Sequence, residues 1–119
     1  MRRIDDSGKP AFQGDVMFRR IDRLPDGAIE KAVPSAGTVV AHSETGHHHI
    51  ATGGDHAFFV DPKDPMHGFI VARGTVEITH HRSTDTHETF ELYSERPEVV
   101  WEITRQREYV PEGWRRVED

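Results

Sequence analysis

Short stretches of alternating apolar and polar residues run through most of the chain. In residues 14–21, Val16 and Phe18 fall on one side and Met17 and Arg19 on the other. This period of two is typical of a strand with one buried face. Comparable stretches, separated by Gly, Pro and Asp, are residues 37–43, 47–51, 56–61, 67–73, 75–81, 87–94 and 99–110.

About eight short strands at even spacing predict an all-β fold. We expect a small cupin-like jelly roll or β-barrel that forms a single domain over residues 1–119. Residues 1–12 are expected to be a loose N-terminal arm. The C-terminal segment 111–119 is expected to form a short helical turn that begins at Pro111. A barrel mouth would let side chains from several strands surround an ion.

The composition indicates that the hydrophobic core of this fold is small. Only 34% of the residues are hydrophobic and 30% are charged. Small cores of this kind are often stabilised by a metal or by a second subunit, so a homodimer is an open alternative. The net charge of −6 argues against nucleic acid as the main partner. The arginines alternate with acidic residues, which indicates surface ion pairs.

The chain has no cysteine, which excludes disulfides, thiolate metal ligands and cysteine nucleophiles. The first residues show no apolar signal segment, and no apolar run is long enough for a transmembrane helix. We therefore expect a cytoplasmic protein with no membrane partner.

Histidine is the residue that carries candidate chemistry, with nine positions in separate segments. His47 and His49 are two residues apart on a predicted strand, so their side chains should face the same way. Two imidazoles on one strand face form a chelating pair, which suits Zn, Fe, Cu or Ni. The nine histidines are His42, His47, His48, His49, His56, His67, His80, His81 and His87.

The remaining ligands are expected from residues 77–90. Val76, Ile78 and His80 share one strand face, so His80 should point inward and His81 outward. His87 begins the returning strand across a turn from His80. Strand parity from the apolar Phe90 puts Glu88, rather than His87, on the buried face. Either a β-bulge or the preceding loop re-aims His87, or Glu88 or His81 replaces it as a ligand.

No general base is obvious in the sequence. Glu88 and Glu108 are the candidate catalytic carboxylates, because each lies in a stretch that a barrel lining would include. Gln106 is an alternative as a polar group that contacts the substrate or supports a ligand. Trp101 and Ile103 alternate as core residues, so Trp101 is expected to pack in the interior. His42, His56 and His67 are expected to be polar residues outside the metal site.

The residues Gly46-His47-His48-His49 resemble the Gly-His-x-His motif of the cupins. That resemblance implies a barrel with a metal held by histidines from two motifs. In this chain, positions 53 and 54, where a cupin has its acidic ligand, are both glycine.

A second resemblance extends along the whole chain. The sequence is similar to a family of uncharacterised small proteins from bacteria and their phages. The shared elements are GDVMFRRIDRLPDGA, TGHHH, THHRSTDTH and RQREY followed by PEGWRR. The resemblance implies that His47, His49, His80 and His87 act as a set, and it implies no reaction.

Together these observations predict a small protein that binds one divalent transition metal. As an enzyme, it would use the metal to activate water or O₂ for chemistry on a small molecule. The alternative is a non-catalytic accessory protein in which the metal is structural. A third reading is a metal-free interaction module with surface or pH-sensing histidines.

Overall fold

The computed structural model describes residues 1–41, 48–81, 86–105, 107–110 and 113–116. These residues form short strands joined by turns. In chain order the strands are β1 (Arg2–Ile4), β2 (Ala11–Gln13), β3 (Val16–Ile21), β4 (Ile29–Lys31), β5 (Thr38–Ala41), β6 (His49–Thr52), β7 (Asp55–Asp61), β8 (Asp64–Arg73), β9 (Val76–His81), β10 (Thr86–Leu92), β11 (Val99–Arg105), β12 (Arg107–Val110) and β13 (Gly113–Arg116).

The strands build two main sheets that face each other across one core. The five-stranded sheet has the order β1-β10-β9-β6-β5, and the six-stranded sheet has the order β2-β3-β11-β8-β7-β4. A separate hairpin joins β12 to β13. The ring of Phe18 meets that of Phe90 edge-on, with centroids 5.9 Å apart, and so joins the two sheets. The architecture is a β-sandwich.

The core follows the alternation seen in the sequence. Val16 and Phe18 of β3 are fully buried, whereas Arg19, the next residue on the same strand, is exposed to solvent. Trp101 and Ile103 are buried from β11, as predicted. Burial of such side chains supplies the main favourable free energy of folding. The all-β, single-domain prediction is therefore confirmed.

Of the two predicted architectures, a jelly roll or a closed barrel, the closed barrel is not formed by the part of the chain that the structure describes. There the edge strands β1 and β5 of one sheet form no ladder with the edge strands β2 and β4 of the other. Alternation shows which face of a strand is buried, but closure depends on pairing between edges, which alternation does not encode.

Both chain ends also differ from the prediction. The expected loose arm supplies two strands: β1 pairs in parallel with β10, and β2 pairs with β3. Ile4 and Ala11 from this segment are buried in the core, which explains its order. The expected C-terminal helical turn is absent from the described residues, where Gly113–Arg116 is strand β13. β13 pairs antiparallel with β12, with Tyr109 in register with Trp114, so this segment forms a hairpin strand where the helical turn was expected.

No helix within the described ranges is long and apolar enough to cross a membrane.

Candidate functional site

Two buried histidines from neighbouring strands stack on each other between the sheets. β6 pairs with β9 so that His49 lies opposite His80. The two rings have centroids 3.8 Å apart and planes 17° from parallel. Both side chains are fully buried. His80 is buried because Val76 and Ile78 place that strand face in the core, as the sequence predicted.

His87 occupies the next position of the same row. It lies opposite His80 in the pairing of β10 with β9. The register shifts between His87 and Phe90, which is the β-bulge that strand parity requires. Directly opposed positions on neighbouring strands belong to one face of a sheet. His49, His80 and His87, here called the histidine row, therefore take adjacent positions on three neighbouring strands.

Gln13 connects the six-stranded sheet to this row. Its Nε2 donates hydrogen bonds to the carbonyl oxygens of Ile78, at 2.8 Å, and Glu88, at 2.9 Å. Its Oε1 lies 2.9 Å from Nδ1 of His49. Because both Nε2 hydrogens serve carbonyls, the Oε1 end must face His49 as an acceptor. Nδ1 of His49 is then the donor, and in the neutral form of the ring the lone pair lies on Nε2.

The same glutamine supports the bulge. Glu88 lies inside the register shift, where its carbonyl leaves the regular ladder, and Gln13 supplies a donor to it. Gln13 is only 2% exposed, so these bonds are made away from water. Buried carbonyls without partners are costly, which makes Gln13 a structural support for the position of His87 as well as for His49.

The stacked rings are not arranged around an ion. The lone pair of an imidazole lies in the ring plane, so two nearly parallel rings have nearly parallel lone pairs. They would have to splay apart to converge on one metal. Consistent with this, the part of the chain that the structure describes contains no group of three or more His, Cys, Asp or Glu residues in metal-holding geometry.

The other predicted site residues lie in different places. His47, Gln106 and the His42 position fall outside the described residues. Glu88 has an exposed side chain. Glu108 is in β12, opposite Arg115. The catalytic roles of Glu88 and Glu108 stay predictions.

Two further histidines have polar partners elsewhere. His56 lies 3.2 Å from Thr38 Oγ1, and its Nδ1 lies 3.2 Å from the carbonyl oxygen of Gly53. His67 donates from Nε2 to Glu102 at 2.8 Å. Each is thus held in a local contact away from the histidine row.

A buried ion pair that the sequence pattern did not predict joins Arg105 to Asp15. Nε of Arg105 donates to Oδ2 of Asp15 at 2.5 Å, and the two side chains are 4% and 1% exposed. Asp15 lies two residues after Gln13, so the turn at Gly14 carries both buried polar contacts. Gly14 has a φ of 62°, in the left-handed region that glycine adopts without strain. The only sequence signal was the Gly-Asp pair ahead of an apolar strand.

Glu102, on the outer face of the six-stranded sheet, accepts hydrogen bonds from two side chains that change its pKa. Burial raises the pKa of Glu102, but hydrogen bonds from Arg19 and His67, with their charges, lower it more. Arg19 Nε donates to Oε1 at 2.6 Å, and His67 Nε2 donates to Oε2 at 2.8 Å. The net pKa lies below the ordinary glutamate value.

We expect Glu102→Gln to lower stability at neutral pH and to flatten the acid limb of the stability profile. The carboxylate has a lower pKa in the folded state, so its contribution is present above the unfolded pKa. It is lost as pH falls from the unfolded pKa through the lower folded pKa. Urea unfolding at a series of pH values measures this. Glu98→Gln, at an exposed carboxylate 3.5 Å from Arg73, is the control, and equal profiles for the two variants would contradict the expectation.

The fold and the site define a small β-sandwich protein with a row of histidine positions across three strands, in which His49 and His80 are buried. Residues 12–106 match the model of a family described as a domain of unknown function (DUF8820), and the chain belongs to that family. No curated protein and no solved structure matches the chain. Membership in a family without an assigned activity agrees with the sequence prediction, whereas the cupin resemblance stays a prediction.

Proposed function

We propose that the histidine row binds one divalent transition metal, with His49, His80 and His87 as ligands. The observation that carries this proposal is the hydrogen bond between His49 and Gln13. Histidines that bind metals commonly donate their other ring N–H to an oxygen, which fixes the tautomer and the ring orientation. Gln13 does this for His49 and leaves Nε2 as the nitrogen with the lone pair.

Burial and composition support the same proposal. Neutral imidazole is a good ligand for Zn, Fe, Cu and Ni. The stacked imidazoles of His49 and His80 lie inside the core, where an apolar interior disfavours polar groups that have no role. The stacked rings of His49 and His80 would separate by side-chain rotation to face a common ion. His47 stays a predicted fourth ligand, because it precedes His49 by two residues on the same chain segment.

In this proposal the bound metal would activate water or O₂ for reaction with a small molecule. The chain's own contribution is to fix the tautomer of His49 through Gln13 and to keep water away from the buried side chains of His49 and His80. Three histidine ligands would leave a coordination position open, which catalysis requires. Glu88 and Glu108 remain the proposed acid–base candidates, and Glu88 is placed at the surface beside the row.

We expect the chelator-stripped protein to bind about one Zn²⁺ per chain, and the His80→Phe variant to bind none at that site. Phenylalanine keeps a ring of similar size in the stack but removes both nitrogens. Isothermal titration with Zn²⁺, followed by metal analysis of the desalted protein, measures the stoichiometry. Circular dichroism confirms that the variant is folded.

The matched control is His56→Phe, which removes a half-buried histidine outside the row. It should bind Zn²⁺ like the wild type. Wild-type protein that takes up no metal, or equal binding by the wild type and His80→Phe, would refute the proposal.

A second candidate function is a non-catalytic protein with a structural metal. The full burial of His49 and His80 favours it, because structural sites are closed whereas catalytic sites admit substrate. A structural metal should raise the melting temperature strongly, since metal binding then contributes directly to folding. A catalytic metal bound to a prefolded site should raise it only by mass action at the ligand concentration used.

A further inference from the structure

A mainly apolar groove opens between the sheets on the side of β5. It has a volume of about 700 Å³, in the range of small-molecule sites. Strands of both sheets contribute to its walls. The apolar lining includes Ile29, Val39, Val40, Phe58 and Val60.

One buried cation lies in the wall of this apolar groove. Arg105 lines it, and its side chain is 4% exposed. The guanidinium has five N–H donors, of which the one on Nε donates to Asp15. Its planar set of donors is suited to carboxylate and amide oxygens. The guanidinium of Arg105, which is costly to bury, therefore lies beside an apolar groove that is large enough for a ligand.

The charges of the groove balance. Lys31 and Asp61 also line it, with one charge of each sign. The ion pair with Asp15 offsets the charge of Arg105. Hydrogen bonding to an oxygen, rather than net charge, would therefore select the ligand.

The groove adjoins the histidine row. Ala41 lines the groove and lies directly opposite His49 in the pairing of β5 with β6. Opposed residues in an antiparallel ladder have Cα atoms about 4.5–5.5 Å apart. The turn between β2 and β3 links the same two regions, because Gln13 contacts His49 and Asp15 contacts Arg105.

We propose that this groove binds a small, mainly apolar molecule that presents a carboxylate or amide oxygen to Arg105. We infer further that this molecule is the substrate for a metal bound at the histidine row, and this part of the inference rests on the proposed function. Binding itself requires only the groove and the Asp15–Arg105 pair.

Three probes of similar shape test the ligand class: hydrocinnamate, hydrocinnamamide and phenylpropylamine. Titration calorimetry and NMR chemical-shift changes measure their binding to the full chain. We expect the acid and the amide to bind with affinities within about tenfold of each other, because Asp15 offsets the charge of Arg105. The ammonium compound has no acceptor and should bind at least about tenfold more weakly. Strongest binding by the amine, or no binding by any probe, would overturn the proposal.

A filled groove provides the location test. Val39→Trp places an indole in the groove from a half-buried strand position and should weaken hydrocinnamate binding by at least about tenfold. Val71→Trp makes the same substitution at a half-buried position on β8 outside this groove and should leave binding unchanged. Equal affinities for the two variants would overturn the location.

The metal variant separates this inference from the proposed function. His80→Phe should bind hydrocinnamate like the wild type while it loses Zn²⁺. If the wild type binds Zn²⁺ but no probe, the groove inference fails and the metal proposal stands. If the wild type binds the acid and the amide but no metal, the proposed function fails and the groove remains a ligand site.

Discussion

Replacing Arg105 with Met should destabilise the protein by about 3–5 kcal/mol, because the change removes the ion-pair partner of a buried carboxylate. Asp15 is 1% exposed, and Arg105 donates to it at 2.5 Å. Without the guanidinium, the buried carboxylate would lose the cation that offsets its desolvation cost. Urea unfolding of the wild type and the variant at neutral pH measures the loss.

The double variant Asp15→Leu/Arg105→Met is the matched control. A buried ion pair recovers only part of its desolvation cost, so apolar residues of similar volume often replace both partners at little cost. We expect the double variant to regain most of the stability lost by Arg105→Met alone. A single variant as stable as the wild type, or a double variant no more stable than the single one, would contradict this account of the pair.

The second large effect is expected for Gln13→Leu. The change removes three hydrogen bonds at once and leaves the carbonyls of Ile78 and Glu88 and Nδ1 of His49 without this partner. Each buried polar group left unsatisfied costs about 1–3 kcal/mol, so we expect a loss of about 3 kcal/mol or more. Because the tautomer of His49 is no longer fixed, Zn²⁺ affinity should also fall by about 10–100-fold.

Urea unfolding and Zn²⁺ titration measure the two effects on the same samples. Phe12→Leu is the control, since Phe12 is the neighbouring residue on β2 and is 44% exposed. It should change stability by no more than about 0.5 kcal/mol and should leave the metal affinity unchanged. Normal stability of Gln13→Leu would show that Gln13 does not hold the bulge. Normal Zn²⁺ affinity would show that it does not act through His49.

Alternation predicted the strands and the faces that form the core. It placed Val76, Ile78 and His80 on one buried face, which the structure confirms. The same rule could not decide between His87 and Glu88, because parity holds only while a strand is regular. The register shift ahead of Phe90 returns His87 to the row opposite His80, and a bulge is set by contacts across the fold.

The role of Gln13 could not be predicted for a related reason. β2 has three residues, too few to show a period, and the partners of Gln13 are 36 to 75 residues away in sequence. The Asp15–Arg105 pair joins residues 90 positions apart. At the C-terminus, the preference of Pro111 for the first turn of a helix was local, and the pairing of β12 with β13 overrode it.

The most direct test of the central claim is X-ray absorption at the Zn edge of the loaded protein, which counts the imidazoles around the metal. We expect three histidine nitrogens at about 2.0–2.1 Å and one oxygen. Four nitrogens would still place the metal in the histidine row but would favour a closed structural site with His47 as a ligand. A shell of oxygens, or a single imidazole, would contradict the claim that His49, His80 and His87 bind one metal together.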